Sequence, residues 1–299
     1  MNRNLIKKLT ENTLLYHILA IAIVSIWGIT FVSTKVLLIE GLNPADIIVY
    51  RFLLAYVGIC IVSRPFKLFA SSLKDEIICL LAGFFGGALY FITENIALEF
   101  TNVSNVALIC GTTPLLTMLI QYYIIKRIKP KRRILIGSLI TLAGVGAVIF
   151  NTNFVLKLNP IGDLLCLLSA LSWTLYTLIT KYLSDKYNAL FIARKTFIYG
   201  IITLAPIFIF QPMTISSEIF LQPNIWMQLL FLGGIGSCAC FVLWNKCMRK
   251  LDTVILSNYI YLVPVVSIVS SNLILGEMLN FVIVIGTILV IAGMYLAGK

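Results

Sequence analysis

Four ionisable side chains stand inside stretches that are otherwise apolar: Arg51, Glu94, Arg194 and Lys195. A charge held within lipid is costly unless it meets a partner or a wet path, so each is a default candidate for handling a solute or an ion. Measured from the breaks at Pro44 and Glu99, Arg51 lies about 10 Å and Glu94 about 8 Å inside the same boundary, at about 1.5 Å of rise per residue. They can reach each other. An Arg51–Glu94 pair near the outer end of a pathway would act as a gate or as an anchor for a zwitterion, the alternative being two side chains that snorkel independently. Arg194 and Lys195 occupy the corresponding inner region of a later helix, where Arg194 could lie against the face of Trp244. Glu94 is the acid placed furthest inside a span, which makes it the candidate for proton coupling, with facilitated diffusion the other possibility.

Nucleophilic and metal chemistry has little material to work with. His17 is the only histidine, and the seven cysteines (Cys60, Cys79, Cys110, Cys166, Cys238, Cys240 and Cys247) are odd in number and form no CxxC pair. They read as small packing residues, and no catalytic residue, metal or cofactor is expected.

Polar residues recur at helical spacing. Asn105, Thr113, Thr117 and Gln121 form one stripe, and Thr253, Ser257, Tyr261 and Ser271 form another with Ser267 at its edge. Either stripe can line a cavity or glue helices together, and the two in combination favour a cavity. Trp27 and Trp173 sit mid-helix, away from the interfaces where tryptophan gathers; with Thr30, Tyr90 and Tyr176 they make an amphipathic wall, or else core packing. Asn95, beside Glu94, joins this candidate set. Pro114 and Pro264 mark kinks where backbone can face a polar space.

The elements that must position these residues follow from composition. The chain has 299 residues, of which 60% are hydrophobic and 12% charged, and a mean hydropathy of +1.00. Soluble domains carry about 25% charged residues, so too little polar surface is left here to wet an exterior. A cytosolic enzyme and a secreted disulfide scaffold are excluded. At about 20 residues per span the length yields an all-α integral membrane protein of ten helices. Charge clusters and Gly/Pro/Asn turns place them at Leu15–Lys35, Pro44–Val62, Glu76–Glu99, Val103–Ile125, Arg133–Asn151, Pro160–Tyr182, Asn188–Gln211, Asn224–Cys247, Thr253–Gly276 and Asn280–Gly298. The apolar stretch after Lys7 and Lys8 is too long for a signal peptide and reads as a retained helix. Eighteen Lys and Arg fall in the termini and even-numbered loops, against Lys35 and Lys157 in the odd ones, which puts both termini in the cytoplasm. The net charge of +11 is therefore a topology signal, and no nucleic-acid partner is expected.

The chain repeats itself. An offset of 150 superposes Gly83 on Gly233, Gly86 on Gly236, Phe91 on Phe241, Asn95 on Asn245 and Pro114 on Pro264; an offset of 146 pairs Trp27 with Trp173 and Lys35 with Lys181. Two five-helix repeats result, residues 1–151 and 152–299. Because five is odd the second repeat is inverted, as in alternating-access carriers.

The segments Trp27-Gly28-Ile29-Thr30-Phe31 through Lys35, Arg51-Phe52-Leu53-Leu54-Ala55, and Asn95-Ile96-Ala97-Leu98 through Asn105-Val106-Ala107-Leu108-Ile109 to Pro114 occur in that order. Pro264, Gly276-Glu277 and the tail to Gly293 complete the set. In this order the chain resembles the drug/metabolite transporter superfamily, specifically its ten-helix EamA-type members. It departs in one place, where Lys126-Arg127 follows the fourth helix instead of the family's common Gly-Glu pair. The resemblance implies export or exchange of small metabolites, often amino acids, across the inner membrane, with a multidrug or a nucleotide or phospho-sugar carrier as alternatives. An intramembrane enzyme would need a clustered nucleophile and base, and none is visible. Expected partners are a small-molecule substrate and membrane lipid, and a homodimer is possible through the glycine-bearing fifth and tenth helices.

Overall fold

A lipid interior offers no hydrogen-bond partner, so each backbone donor must be satisfied within its own segment, and a chain this apolar folds into helices. The computed structural model describes residues 3–63, 67–100, 103–127, 129–150, 160–213, 222–275 and 281–298, and among them no strand occurs. The first part comprises α1 (Arg3–Ile39), α2 (Pro44–Val62), and α3 (Leu73–Gly83), which runs through a π turn at Phe84–Leu89 into α4 (Tyr90–Phe100). After these come α5 (Val103–Cys110), α6 (Thr113–Leu119) with a π turn at Ile120–Ile125, and α7 (Arg132–Phe150). The second part comprises α8 (Pro160–Ser184), α9 (Ala189–Leu204) and α10 (Pro223–Leu230), which continues through a π segment at Phe231–Ala239 into α11 (Cys240–Lys250). It closes with α12 (Thr253–Asn258), a 3-10 turn at Tyr259–Tyr261, α13 (Leu262–Leu275) and α14 (Phe281–Gly298).

The helix ends have local causes. Proline opens α2, α8 and α10, where its missing N–H costs nothing. The side chains of Ser72, Asn188 and Asp252 accept from the amides of Asp75, Phe191 and Val254 and so cap α3, α9 and α12. At the end of α1, Gly41 takes φ +94° while Leu42 N–H bonds Leu37 O and Gly41 N–H bonds Leu38 O, a left-handed stop that only glycine adopts freely.

Seven helices among the described residues are long and apolar enough to cross a membrane: Thr13–Ile39, Pro44–Val62, Leu73–Phe100, Pro160–Ser184, Ala189–Ile209, Pro223–Lys250 and Thr253–Ile274. The protein is therefore a multi-pass, all-helical membrane protein. The sequence places a fourth span continuously over Val103–Ile125, but a turn at Gly111–Thr112 divides it into α5 and α6. Pro114 stands in the first turn of α6 rather than at a kink inside one helix, because a residue without an N–H is tolerated at a helix start and not in its interior. Pro264 likewise follows the 3-10 turn at the beginning of α13. Helices also occupy Arg132–Phe150 and Phe281–Gly298, the places of the fifth and tenth expected spans. The Gly276-Glu277 pair and the boundary at 151/152 lie outside the described residues.

Neither half of the sequence has a core of its own. α1 packs on α13, α2 on the π segment before α11, α3 on α9, α4 on α8, and α7 on α14. Glycine permits these approaches: a Cβ on Gly28 would lie 2.7 Å from Val266 Cβ, and one on Gly83 would lie 2.4 Å from Tyr199 Cβ. The glycines of α7 and α14 face each other, Gly137 against Gly293 O and Gly144 against Gly286 O, each within 2.8 Å of a built Cβ. That stripe is used inside the chain, between its two halves.

Gly234 is the contrast, since a Cβ there meets nothing within 4 Å. Gly234→Ala should leave the fold intact and raise stability by about 0.5–1 kcal/mol through the lost freedom of the unfolded chain. Thermal unfolding in detergent checks this, and a lower melting temperature contradicts it.

Candidate functional site

The two helix breaks, at Gly111 and at Ile260, border one cavity of about 40 Å³, room for about two or three waters. Arg51, Glu94, Trp27, Thr30, Tyr90, Thr113 and Trp173 line it, together with Phe91, Phe241, Cys110 and Gly111 at the α5–α6 break. The wall is aromatic. Trp27 and Trp173 meet edge to face at 5.1 Å, Tyr90 lies 5.0 Å from Trp173, and Phe241 is 5.9 Å from Trp27 and 5.7 Å from Trp173.

Arg51 and Glu94 are each 3% exposed. Arg51 Nε donates to Ser237 Oγ at 2.5 Å, and its guanidinium carbon stands 4.2 Å over the Phe91 ring. Glu94 lies within electrostatic range of Arg51 and, one turn along α4 from Tyr90, within reach of the Tyr90 side chain, while its Oε2 has no hydrogen-bond partner. The two charges thus share a cavity without forming a direct ion pair: among the described residues the ion pairs are Lys126–Asp252, Lys186–Asp75 and Lys195–Glu76. Trp173 Nε1, on the same wall, is also unpartnered. A cation beside an anion, across a void walled by indoles, offers complementary anchors to a small dipolar solute.

The other expected site residues are placed elsewhere. Asn95 donates to Pro44 O at 3.1 Å and ties α4 to the start of α2. Ser267 donates to Gly28 O at 2.9 Å and joins α13 to α1, so it serves as interhelical glue. Tyr176 is fully buried behind Trp173, 5.1 Å between ring centres, and its hydroxyl has no hydrogen-bond partner. Thr117, Ser257 and Tyr261 are buried with unpartnered hydroxyls outside the cavity lining, and Gln121 is half-buried in the π turn after α6. Only Thr113 of the first polar stripe reaches the cavity; the Asn105 side chain lies outside the described set.

Arg194 does not meet Trp244. It donates to Lys67 O and stands 5.6 Å over Phe191, because α9 turns this face toward the loop after α2. Lys195 pairs with Glu76, which also accepts from Tyr199 and from the Ala70 amide. The adjacent Asp75 accepts from Lys186 at 2.9 Å and from the Tyr187 hydroxyl at 2.9 Å. In the α8–α9 loop, hydrogen bonds to Tyr182 and then to Asp75 hold the Lys186 ammonium above its ordinary range, so it stays charged. Together these contacts tie the start of α3 to the start of α9.

Matched hydrogen bonds run through the two halves. Lys35 Nζ donates to Leu98 O at 2.6 Å and Lys181 Nζ to Met248 O at 2.9 Å, cations on the last carbonyls of α4 and α11. Trp27 Nε1 donates to Gly236 O at 3.0 Å, and Ser172 Oγ to Phe85 O at 2.8 Å, so the π elements at Phe231–Ala239 and Phe84–Leu89 each give a carbonyl to the helix that leads the other half. The sequence reading missed Ser237 and Glu76 as partners of Arg51 and Lys195, and Phe91 and Phe241 as cavity walls. The repeat pairing of Phe91 with Phe241 is the signal that could have found the last two.

Comparison with known proteins bears on what this arrangement is for. The model of the EamA-like transporter family matches twice, over residues 14–150 and 160–298. An uncharacterized transporter of Archaeoglobus fulgidus is 25% identical over 94% of this chain and 96% of its own. The uncharacterized transporter YetK of Bacillus subtilis is 25% identical over 82% of this chain and 75% of its own. A probable amino-acid metabolite efflux pump of Escherichia coli is 22% identical over 93% of each chain. A crystal structure at 17% identity superposes with a TM-score of 0.75 over 96% of each chain, a likeness of fold alone.

Proposed function

This chain belongs to the EamA-like transporter family, and from that premise we propose that it is an inner-membrane carrier that exports small organic metabolites of the amino-acid kind by alternating access. The observation that carries the reading is the pairing of buried Arg51 and Glu94 across one aromatic-walled void, with Glu94 Oε2 unpartnered. A buried charge pair that does not close on itself is costly to retain. A zwitterion would satisfy it, its carboxylate toward Arg51 and its ammonium toward Glu94.

The carrier would have ten spans arranged as two inverted repeats, residues 1–151 and 152–299, with both termini in the cytoplasm. The matched π segments and the matched lysine bonds to Leu98 and Met248 support two equivalent halves. The cavity as it stands has room for only a few waters, so admitting a metabolite requires the halves to move apart. Close glycine contacts such as Gly87 against Gly200 Cα, 2.9 Å from a built Cβ, suit rocking of packed helices.

A multidrug carrier is the second reading, favoured by the indole wall. A nucleotide or phospho-sugar carrier fits less well, because Arg51 is the one cation lining the void among the described residues. Purified protein in liposomes, screened by counterflow against amino acids, amines, nucleosides and sugars with an impermeant pH dye, tests it. Exchange of a zwitterionic amino acid above empty liposomes is expected. Exchange confined to apolar cations would replace it with the second reading, and the dye separates proton coupling from facilitated diffusion.

A further inference from the structure

A second cavity, of about 160 Å³, lies between the loop after α2 and the start of α9 and shares no lining residue with the first. Lys67, Lys186 and Arg194 line it with Ser63, Asn188 and Phe191, and among the described residues no carboxylate does. Lys186 is balanced in part by Asp75, which stands outside the lining. Arg194 donates to the Lys67 carbonyl, and the Lys67 ammonium forms none of the ion pairs among the described residues. Asn188 caps α9, so the positive end of a 16-residue helix borders the same space.

Ser63 supplies an independent observation. It is 7% exposed, its backbone amide closes α2 on Ile59 O, and its hydroxyl is buried with no partner. A buried hydroxyl without a partner calls for an explanation, and this one lines a cavity that also carries three cations. The surroundings also point outward, since Ile61 and Val62 on one side of the loop and Leu68 and Phe69 on the other are exposed apolar residues.

We propose that this cavity binds a phosphate group, presented either by the headgroup of an anionic phospholipid or as a free anion. Lys67, Lys186 and Arg194 neutralise the phosphate charge, and Ser63 Oγ donates to one of its oxygens. A headgroup would sit among the cations while its acyl chains follow the exposed apolar residues beside the loop; basic pockets at helix ends hold lipid phosphates in this way. The site takes no part in solute transport as read above, so its failure would leave that reading untouched.

The test is the melting temperature of delipidated full-length protein in detergent, titrated at matched ionic strength with phosphatidylglycerol, phosphatidylcholine and sodium phosphate. Phosphatidylglycerol or phosphate is expected to raise the melting temperature by a few degrees. The half-effective concentration should rise about fivefold in Lys67→Gln, from the contribution of one lysine near an anionic surface, and also in Ser63→Ala. Without ligand both variants should melt like the parent, because Lys67 is exposed and Ser63→Ala removes an unsatisfied hydroxyl. Protection by phosphatidylglycerol alone assigns a headgroup and protection by phosphate assigns the free anion, and either supports the site. Protection equal with phosphatidylcholine, unchanged in both variants, or absent for both anions overturns it.

Discussion

Arg51→Gln and Glu94→Gln are each expected to lower counterflow of a zwitterionic amino acid by about ten- to a hundredfold, with the protein still inserted and monodisperse. The magnitude follows from a hydrogen bond to a charged group, about 1.5–3 kcal/mol, at about 1.4 kcal/mol per tenfold. The two variants differ in their side effects. Arg51 also bonds Ser237 Oγ and covers Phe91, so its replacement should lower the melting temperature as well. Glu94→Gln is nearly isosteric and removes only the charge. If Glu94 moves a proton rather than holding an ammonium group, Glu94→Gln should retain counterflow and lose the response to a pH gradient. Unchanged counterflow in both variants would sink the cavity as the transport site.

Gly86→Ala should destabilise the protein by about 1–3 kcal/mol, the cost of overpacking a filled interior. The added Cβ would lie 2.1 Å from Tyr176 Cδ2 and 2.4 Å from Cγ, near the root of the ring, so rotating the phenol does not relieve it. Tyr176 is fully buried and rests on Trp173, so the displacement passes to the cavity wall, and transport should fall with stability. Tyr176→Val in the same chain removes the colliding ring and should recover part of the loss, a non-additivity that distant residues would not show. A melting temperature equal to the parent's would mean that the π turn at Phe84–Leu89 and α8 are not packed this closely.

Some of this site was legible one residue at a time. Trp27 and Trp173 stood out because tryptophan is unusual at mid-helix, and Arg51 and Glu94 because charge is unusual in lipid; all four line the cavity. The polar stripes were less informative. Ser267 and Thr113 have similar chemistry and helical spacing, yet one holds two helices together and the other faces the void. Helical periodicity says which residues share a face but not what that face meets, and about 100° of rotation per residue separates a lipid face from a core face.

By itself the sequence determined the membrane class, the helical elements and the kinship of the two halves, because hydropathy, helix caps and a repeat offset are local or statistical properties of the chain. The tertiary structure decided which groups meet. It set Arg51 and Glu94 across a void instead of in contact, sent Arg194 to the Lys67 carbonyl instead of Trp244, and placed each half's leading helix against the other's π segment. Those outcomes depend on the relative rotation and register of helices far apart in the chain. Close glycine contacts and aromatic packing between the halves set that register, and no single helix encodes it.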